Sequence, residues 1–235
     1  MTEHRKHSAA QDLGEDFGRR LVLGVRRLLG ECAEALGELD RRAGDGDFGT
    51  SVRTALSLLD RETEKEQPST YRQWLTALYR GWLGVGGTSG PLFGVFFREL
   101  ANAGEDGGTP RVDELVEALA AGQTIVQRYG EAEVGDKTMV DALAPAVEAM
   151  RGALHDGEPL QQILEAGESA ALEGARGSAR STARRGRASY TGDASQGVID
   201  PGAAAMALVL AAARAAAETS QGDQPLEEID TAWIG

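Results

Sequence analysis

Three aspartates fall within eight residues of the stretch 39–51, LDRRAGDGDFGTS: Asp40, Asp45 and Asp47. Gly44, Gly46 and Gly49 lie between and beside them. Carboxylates this close repel one another, and a hard cation that prefers oxygen ligands, Mg²⁺ or Ca²⁺, removes the repulsion. The glycines let the backbone turn tightly and let a ligand approach it. Thr50 and Ser51 follow where a helix is expected to begin, and a helix N-terminus offers N–H groups to phosphate. The chemistry these residues could do is the binding of a phosphorylated ligand through a divalent metal. The same tripeptide, Asp-Gly-Asp, also suits a plain acidic turn that caps a helix. An EF-hand does not fit, because a loop starting at Asp45 would place Leu56 where the bidentate Glu belongs.

The rest of the chain must position such a site, and its composition says how. Of 235 residues, 41% are hydrophobic, enough for a core, and the length suits one large domain. Aromatics are 5% while Ala and Leu abound, which points to helices rather than sheets. The formal net charge of −13 argues against generic nucleic-acid binding, which wants a basic face. Cys32 is the one cysteine, so neither a disulfide framework nor a Cys-based zinc site is expected. No apolar run reaches membrane-spanning length, and the N-terminal MTEHRKHSAAQD has no apolar segment of the signal-peptide kind. No membrane association and a cytoplasmic location are the expectation.

Apolar residues recur at three and four spacings throughout. They predict helices over about 11–37, 50–64, 70–83, 91–103, 111–129, 137–154, 159–184 and 201–218. Pro145 predicts a kink or early turn in the sixth. No credible strand or linker appears. The expected fold is all-α: a single-domain closed barrel or bundle of eight antiparallel amphipathic helices. It would span 11–219, after a disordered 1–10 and before a mobile acidic tail, 220–235, unless Trp233 docks on the body.

The loops richest in Gly, Asp, Ser and Thr are the acidic loop, GVGGTSGP, GEAEVGDKT and GRASYTGDASQGVIDPG. All four are odd-numbered connections. In an up-and-down chain every odd connection lies at the same end, so the four would form one rim and one composite site. Two familiar phosphate motifs fail here. Residues 130–138 miss the Walker spacing by Asp136, and Gly84 to Ser89 has Ser where the last Gly of GxGxxG belongs; neither follows a strand. Backbone N–H groups of such loops can still cradle phosphate. Arg176, Arg180 and Arg184 lie four apart on the predicted seventh helix, as a solvated basic face or as groups aimed at phosphate. Arg187, in a small-residue loop, is the better phosphate partner.

LDRRAGDGDFGTS, GGTSGPLFGVFF, VGDKTMVDALAP, GRASYTGDASQG and DPGAA occur in this order, and together they resemble the ADP-binding L subunit family of dihydroxyacetone kinase, the DhaL or Dak2 type. The resemblance runs from about Phe17 to Glu218 and implies the eight-helix barrel with a nucleotide at one rim. By position it implies that Asp40, Asp45 and Asp47 hold Mg²⁺ ions, two in number by the family pattern, against the phosphates of ADP or ATP. It implies nucleotide contacts at Phe48, Gly49, Thr50, Ser51, Thr88 and Ser89. Gly130 and Met139 would lie around the adenine, and Arg187, Asp200, Pro201 and Gly202 would complete the site.

The activity implied is phosphoryl transfer to dihydroxyacetone or a related short ketose held on a separate K subunit. Positioning and charge neutralisation supply most of that catalysis. The donor is ATP, or a resident ADP rephosphorylated by a phosphotransferase-system M subunit; the residues do not choose between them. One departure stands out: the family usually has GDxDHGT, and Phe48 replaces the histidine. Phe can neither hydrogen-bond a phosphate nor carry a proton. A nucleotide-loaded regulatory binding protein is therefore a second reading, and a metabolite-binding helical barrel without chemistry a third.

Overall fold

The computed structural model describes residues 12–186, 188–189, 195–218 and 229–234. Within them the fold is all-α, as the periodicity predicts; the β-type pairing found there is one isolated bridge between Asp12 and Arg111. Nine α-helices occur among the described residues: α1 (Phe17–Glu31), α2 (Ala33–Ala43), α3 (Phe48–Glu66), α4 (Tyr71–Leu83), α5 (Ser89–Ala101), α6 (Val112–Gly130), α7 (Val140–His155), α8 (Leu160–Gly177) and α9 (Pro201–Glu218). The ninth arises because the first predicted helix is interrupted at Cys32. The interruption is slight. Cys32 N–H still donates to Leu28 O at 3.0 Å, and Leu36 N–H to Cys32 O at 2.9 Å.

Local sequence sets several boundaries. Thr70 and Gln73 form a reciprocal capping box that starts α4. Helix α3 starts two residues earlier than predicted, so Phe48 and Gly49 are its first turn. Helix α7 continues through Pro145 to His155. Helix α8 ends at Gly177 rather than near 184, a correction with a tertiary cause. The Ser178 carbonyl is taken by Lys137 Nζ at 2.8 Å and by Ser181 N–H in a 3-10 turn, so the α-helical ladder stops there. Arg180 and Arg184 therefore do not share a face of α8 with Arg176.

Helices pack mainly on their chain neighbours, from α3 round to α9, as an up-and-down chain requires. Helix α9 closes the ring by packing on α1 and α2 as well as α7 and α8. Its alanine-rich sequence suits that place, since a helix apolar all round is a buried one. Residues Ala203 to Ala213 are all buried. An aromatic cluster fills the opposite side: Trp82 stacks on Phe93 at 4.4 Å, and Phe97 and Phe48 lie 6.3 and 6.0 Å from Phe93. The last described segment returns to the body. Ile234 is buried and the Trp233 ring lies 6.0 Å from the Arg176 guanidinium. Residues 1–10 and most of the acidic tail lie outside the described residues. No helix among those described is long and apolar enough to cross a membrane.

Candidate functional site

The metal-ligand candidates come from the junction of α2 and α3. Asp40 is in the last turn of α2, not in the loop as expected; Asp45 is in the loop; Asp47 is the N-cap of α3. Between them Gly46 takes φ +81°, a conformation that glycine adopts at no steric cost. One oxygen from each carboxylate lies within 4.8 Å of the other two. Asp40 is buried, while Asp45 and Asp47 face solvent. Asp40 Oδ2 accepts the Phe48 N–H at 2.9 Å. Burial, helped by the charges of Asp45 and Asp47, holds the Asp40 carboxyl above its usual range against that hydrogen bond. A cation among the three would reverse the repulsion. Three convergent oxygen donors of this kind fit a hard cation such as Mg²⁺.

These aspartates line a cavity of about 210 Å³. The other three predicted rim loops reach the same cavity. Thr88 and Ser89 line it from the α4–α5 connection, Gly130 and Met139 from the α6–α7 connection, and Asp200, Pro201 and Gly202 from the start of α9. The parity of the loops is thus realised in space. It has an electrostatic consequence. Asp47, Thr88, Met139 and Asp200 precede the first residues of α3, α5, α7 and α9, and all four line the cavity. Four helix N-termini face one space, and their dipoles favour an anion, although Asp40 takes the first N–H of α3, Thr138 Oγ1 the first of α7 and Asp200 the Ala203 N–H of α9. The carboxylates favour a cation. One cavity attracts both, which is the arrangement a metal-bound phosphate requires.

Part of the wall is apolar: Leu92, Phe93, Val126 and Ala132 line it with Met139. It suits a flat apolar group such as a nucleobase. Phe48 lines the cavity too, with its ring packed 6.0 Å from Phe93.

Some predicted residues stand elsewhere. Gly49 seats α3 on α2; a Cβ there would lie 2.4 Å from Ala33 O. Thr50 is exposed, and Ser51 N–H is taken by Asp47 O at 2.9 Å; neither lines the cavity. Arg187 lies outside the described residues. Its neighbours Arg185, Gly186 and Ala188 line the cavity.

Lys137, Thr138 and Arg185, which were not among the predicted site residues, also line it. Lys137 is 2% exposed, and burial lowers the affinity of its amine for a proton against the pull of Asp200 and Asp141. Asp200 is buried as well. Its carboxyl is pushed up to about 7, chiefly by burial, and its Oδ2 accepts the Ala203 N–H at 2.7 Å to cap α9. The loop 131–139 is held by Asp141, whose oxygens accept from Gly135 N–H at 2.6 Å and Thr138 N–H at 2.7 Å. Asp136 accepts from Glu133 N–H and pairs with Arg185 at 3.2 Å, which together hold its carboxyl below the usual range. A lysine in a Gly-Asp-Thr loop at the head of a helix was the available signal for Lys137. The apolar wall gave none, because its residues look like any core.

The chain is 34% identical over 195 residues to the ADP-binding subunit DhaL of PEP-dependent dihydroxyacetone kinase 1 from Listeria innocua, covering 83% of this chain and 88% of that one. It is 34% identical over 186 residues to the corresponding subunit from Escherichia coli, covering 76% and 85%. Among solved structures, the dihydroxyacetone kinase of C. freundii in complex with AMP-PNP and Mg²⁺ superposes with a TM-score of 0.64 at 26% identity. That match covers 90% of this chain and 36% of the longer one. The DAK2 domain matches residues 42–215, and with that span the chain belongs to the DAK2-domain family.

Proposed function

We propose that the chain is the nucleotide-binding subunit of a dihydroxyacetone kinase. It would transfer a phosphoryl group from a Mg²⁺-bound nucleotide to dihydroxyacetone, or a related short ketose, held on a separate K subunit. The observation that carries the reading is the cavity where three carboxylates meet four helix N-termini beside an apolar wall. The two relatives named as ADP-binding subunits, matched over 88% and 85% of their length, support the nucleotide-binding part of this reading.

In this reading Asp40, Asp45 and Asp47 hold two Mg²⁺ ions. Bound there, Mg²⁺ supplies charge neutralisation to the phosphates of the nucleotide. The chain's own part is positioning. The N-termini of α3 and α5, with Thr88 and Ser89, orient the phosphates. The wall with Gly130 and Met139 takes the base, and Asp200, Pro201 and Gly202 close the last side; Arg187 is a nucleotide contact by its position in the family pattern alone.

The donor is ATP or a resident ADP recharged by a phosphotransferase-system M subunit. The test is to denature freshly purified protein and identify the nucleotide released, with and without prior chelation. Stoichiometric ADP, lost after chelation, is expected for the resident-coenzyme mechanism. No nucleotide at purification, with Mg–ATP binding on addition, would select the exchanging one. Failure to bind either would sink the reading. A second reading, a nucleotide-loaded regulatory protein, is favoured by Phe48 alone; full turnover in an assay reconstituted with a K subunit would remove it.

A further inference from the structure

Lys137 is the one cationic side chain among the described residues that is both fully buried and part of the cavity wall. Its backbone takes φ +63°, a left-handed conformation in which glycine or asparagine is the ordinary choice. A long branched-free cation in that place persists because its surroundings over-determine it. Those surroundings are distant in sequence. Lys137 Nζ donates to Ser178 O at 2.8 Å and to Val198 O, carbonyls at the two ends of the segment that joins α8 to α9. Both contacts lead to Asp200. Ser178 Oγ accepts the Asp200 N–H at 2.8 Å, and Val198 lies two residues before it. The neighbouring Asp136 reinforces the tie, with its carbonyl accepting Arg184 N–H at 3.1 Å and its carboxylate pairing with Arg185.

We propose that Lys137 is a positioning residue for nucleotide binding: by holding Ser178 O and Val198 O it clamps the last rim segment to the α6–α7 loop and sets Asp200 and the N-terminus of α9 against the cavity. The proposal rests on the reading of this cavity as the nucleotide site. Lys137 acts through Asp200, so the two should fail together.

The experiment is titration of the full chain with Mg–ADP by calorimetry, for the wild type, K137M, K137R, D200N and the double variant K137M/D200N, with the melting of each followed without ligand. K137M should weaken Mg–ADP about 10–100-fold, the usual cost of removing a group that orients a ligand-bearing residue. K137R, which keeps the charge and the donors, should recover part of that loss. A general loss of stability would not give the second signature: the double variant should bind no worse than the weaker single one. Wild-type affinity in K137M, or multiplied losses in the double variant, would overturn the proposal. Absence of Mg–ADP binding by the wild type would instead overturn the functional reading beneath it. If K137M does not fold, hydrogen exchange on the wild type decides. Mg–ADP should protect the amides of 137–141 and 195–203 together, and protection of one without the other would refute the clamp.

Discussion

At the scale of single residues, the proposed function divides the site into groups that bind and groups that hold the binders. Asp45 and Asp47 are exposed, so removing one should cost ligand rather than fold. Asp45→Ala is expected to weaken Mg–nucleotide binding by about a hundredfold or more, beyond what loss of a supporting group costs. Its melting point should stay near the parent's, as for most exposed substitutions. Calorimetry with and without Mg²⁺ checks both halves. Phe48 is the opposite case. Its ring is buried against Phe93 while its N–H anchors Asp40. Phe48→His keeps the N–H but puts a polar ring in an apolar place, which should cost about 1–2 kcal/mol of stability. In a reconstituted kinase assay the same variant should turn over faster than the parent. An unchanged rate would show that the phenylalanine is harmless to the chemistry.

At the scale of elements, the site depends on how closely helices approach. Gly174 of α8 faces α7, where a Cβ would lie 2.1 Å from Asp141 O and 3.0 Å from Pro145 Cγ. Asp141 also holds the α6–α7 loop. Gly174→Ala should therefore force α7 and α8 apart, lower stability by about 1–3 kcal/mol, and weaken nucleotide binding through the loop. Gly152, also helical, has nothing within 4 Å of a built Cβ. Gly152→Ala should raise stability by up to about 1 kcal/mol through helix propensity alone. Denaturant melts of the two variants separate contact from propensity; equal effects would contradict the packing argument.

At the scale of the whole molecule, the proposed function asks an acidic chain of net charge −13 to bind an anion. The molecule as a whole repels it, and the local field of four helix N-termini attracts it. With the three carboxylates in the same cavity, the balance should turn on the cation. Mg–ADP should raise the melting temperature progressively with concentration, by about 2.7 kcal/mol of stability at a hundred times its dissociation constant. ADP with a chelator should give little or none of this. Equal stabilisation with and without Mg²⁺ would mean that the aspartates do not act through a metal.

How much was legible beforehand follows from which interactions are local. Apolar spacing and the lack of strand signals are local, and the all-α architecture could be read from them. The order of glycine-rich loops is a property of the chain's topology, so their meeting at one rim could be read too. The Asp40–Asp45–Asp47 cluster spans only the junction from the last turn of α2 to the N-cap of α3, and its convergence needed no distant partner. Three things depended on contacts between remote residues. Helix α8 stops at Gly177 because Lys137, 41 positions before Ser178, takes that residue's carbonyl. Gly49 proved to be a packing contact with Ala33 rather than part of the cavity wall. Leu92, Phe93, Val126 and Ala132 line the cavity although their pattern is that of any core. The sequence by itself determined the helices, the loop parity and the acidic cluster, since each is set by neighbours along the chain. Tertiary structure alone decided which buried residues face the cavity and where its last wall stands, since through-space packing leaves no periodic trace in the sequence.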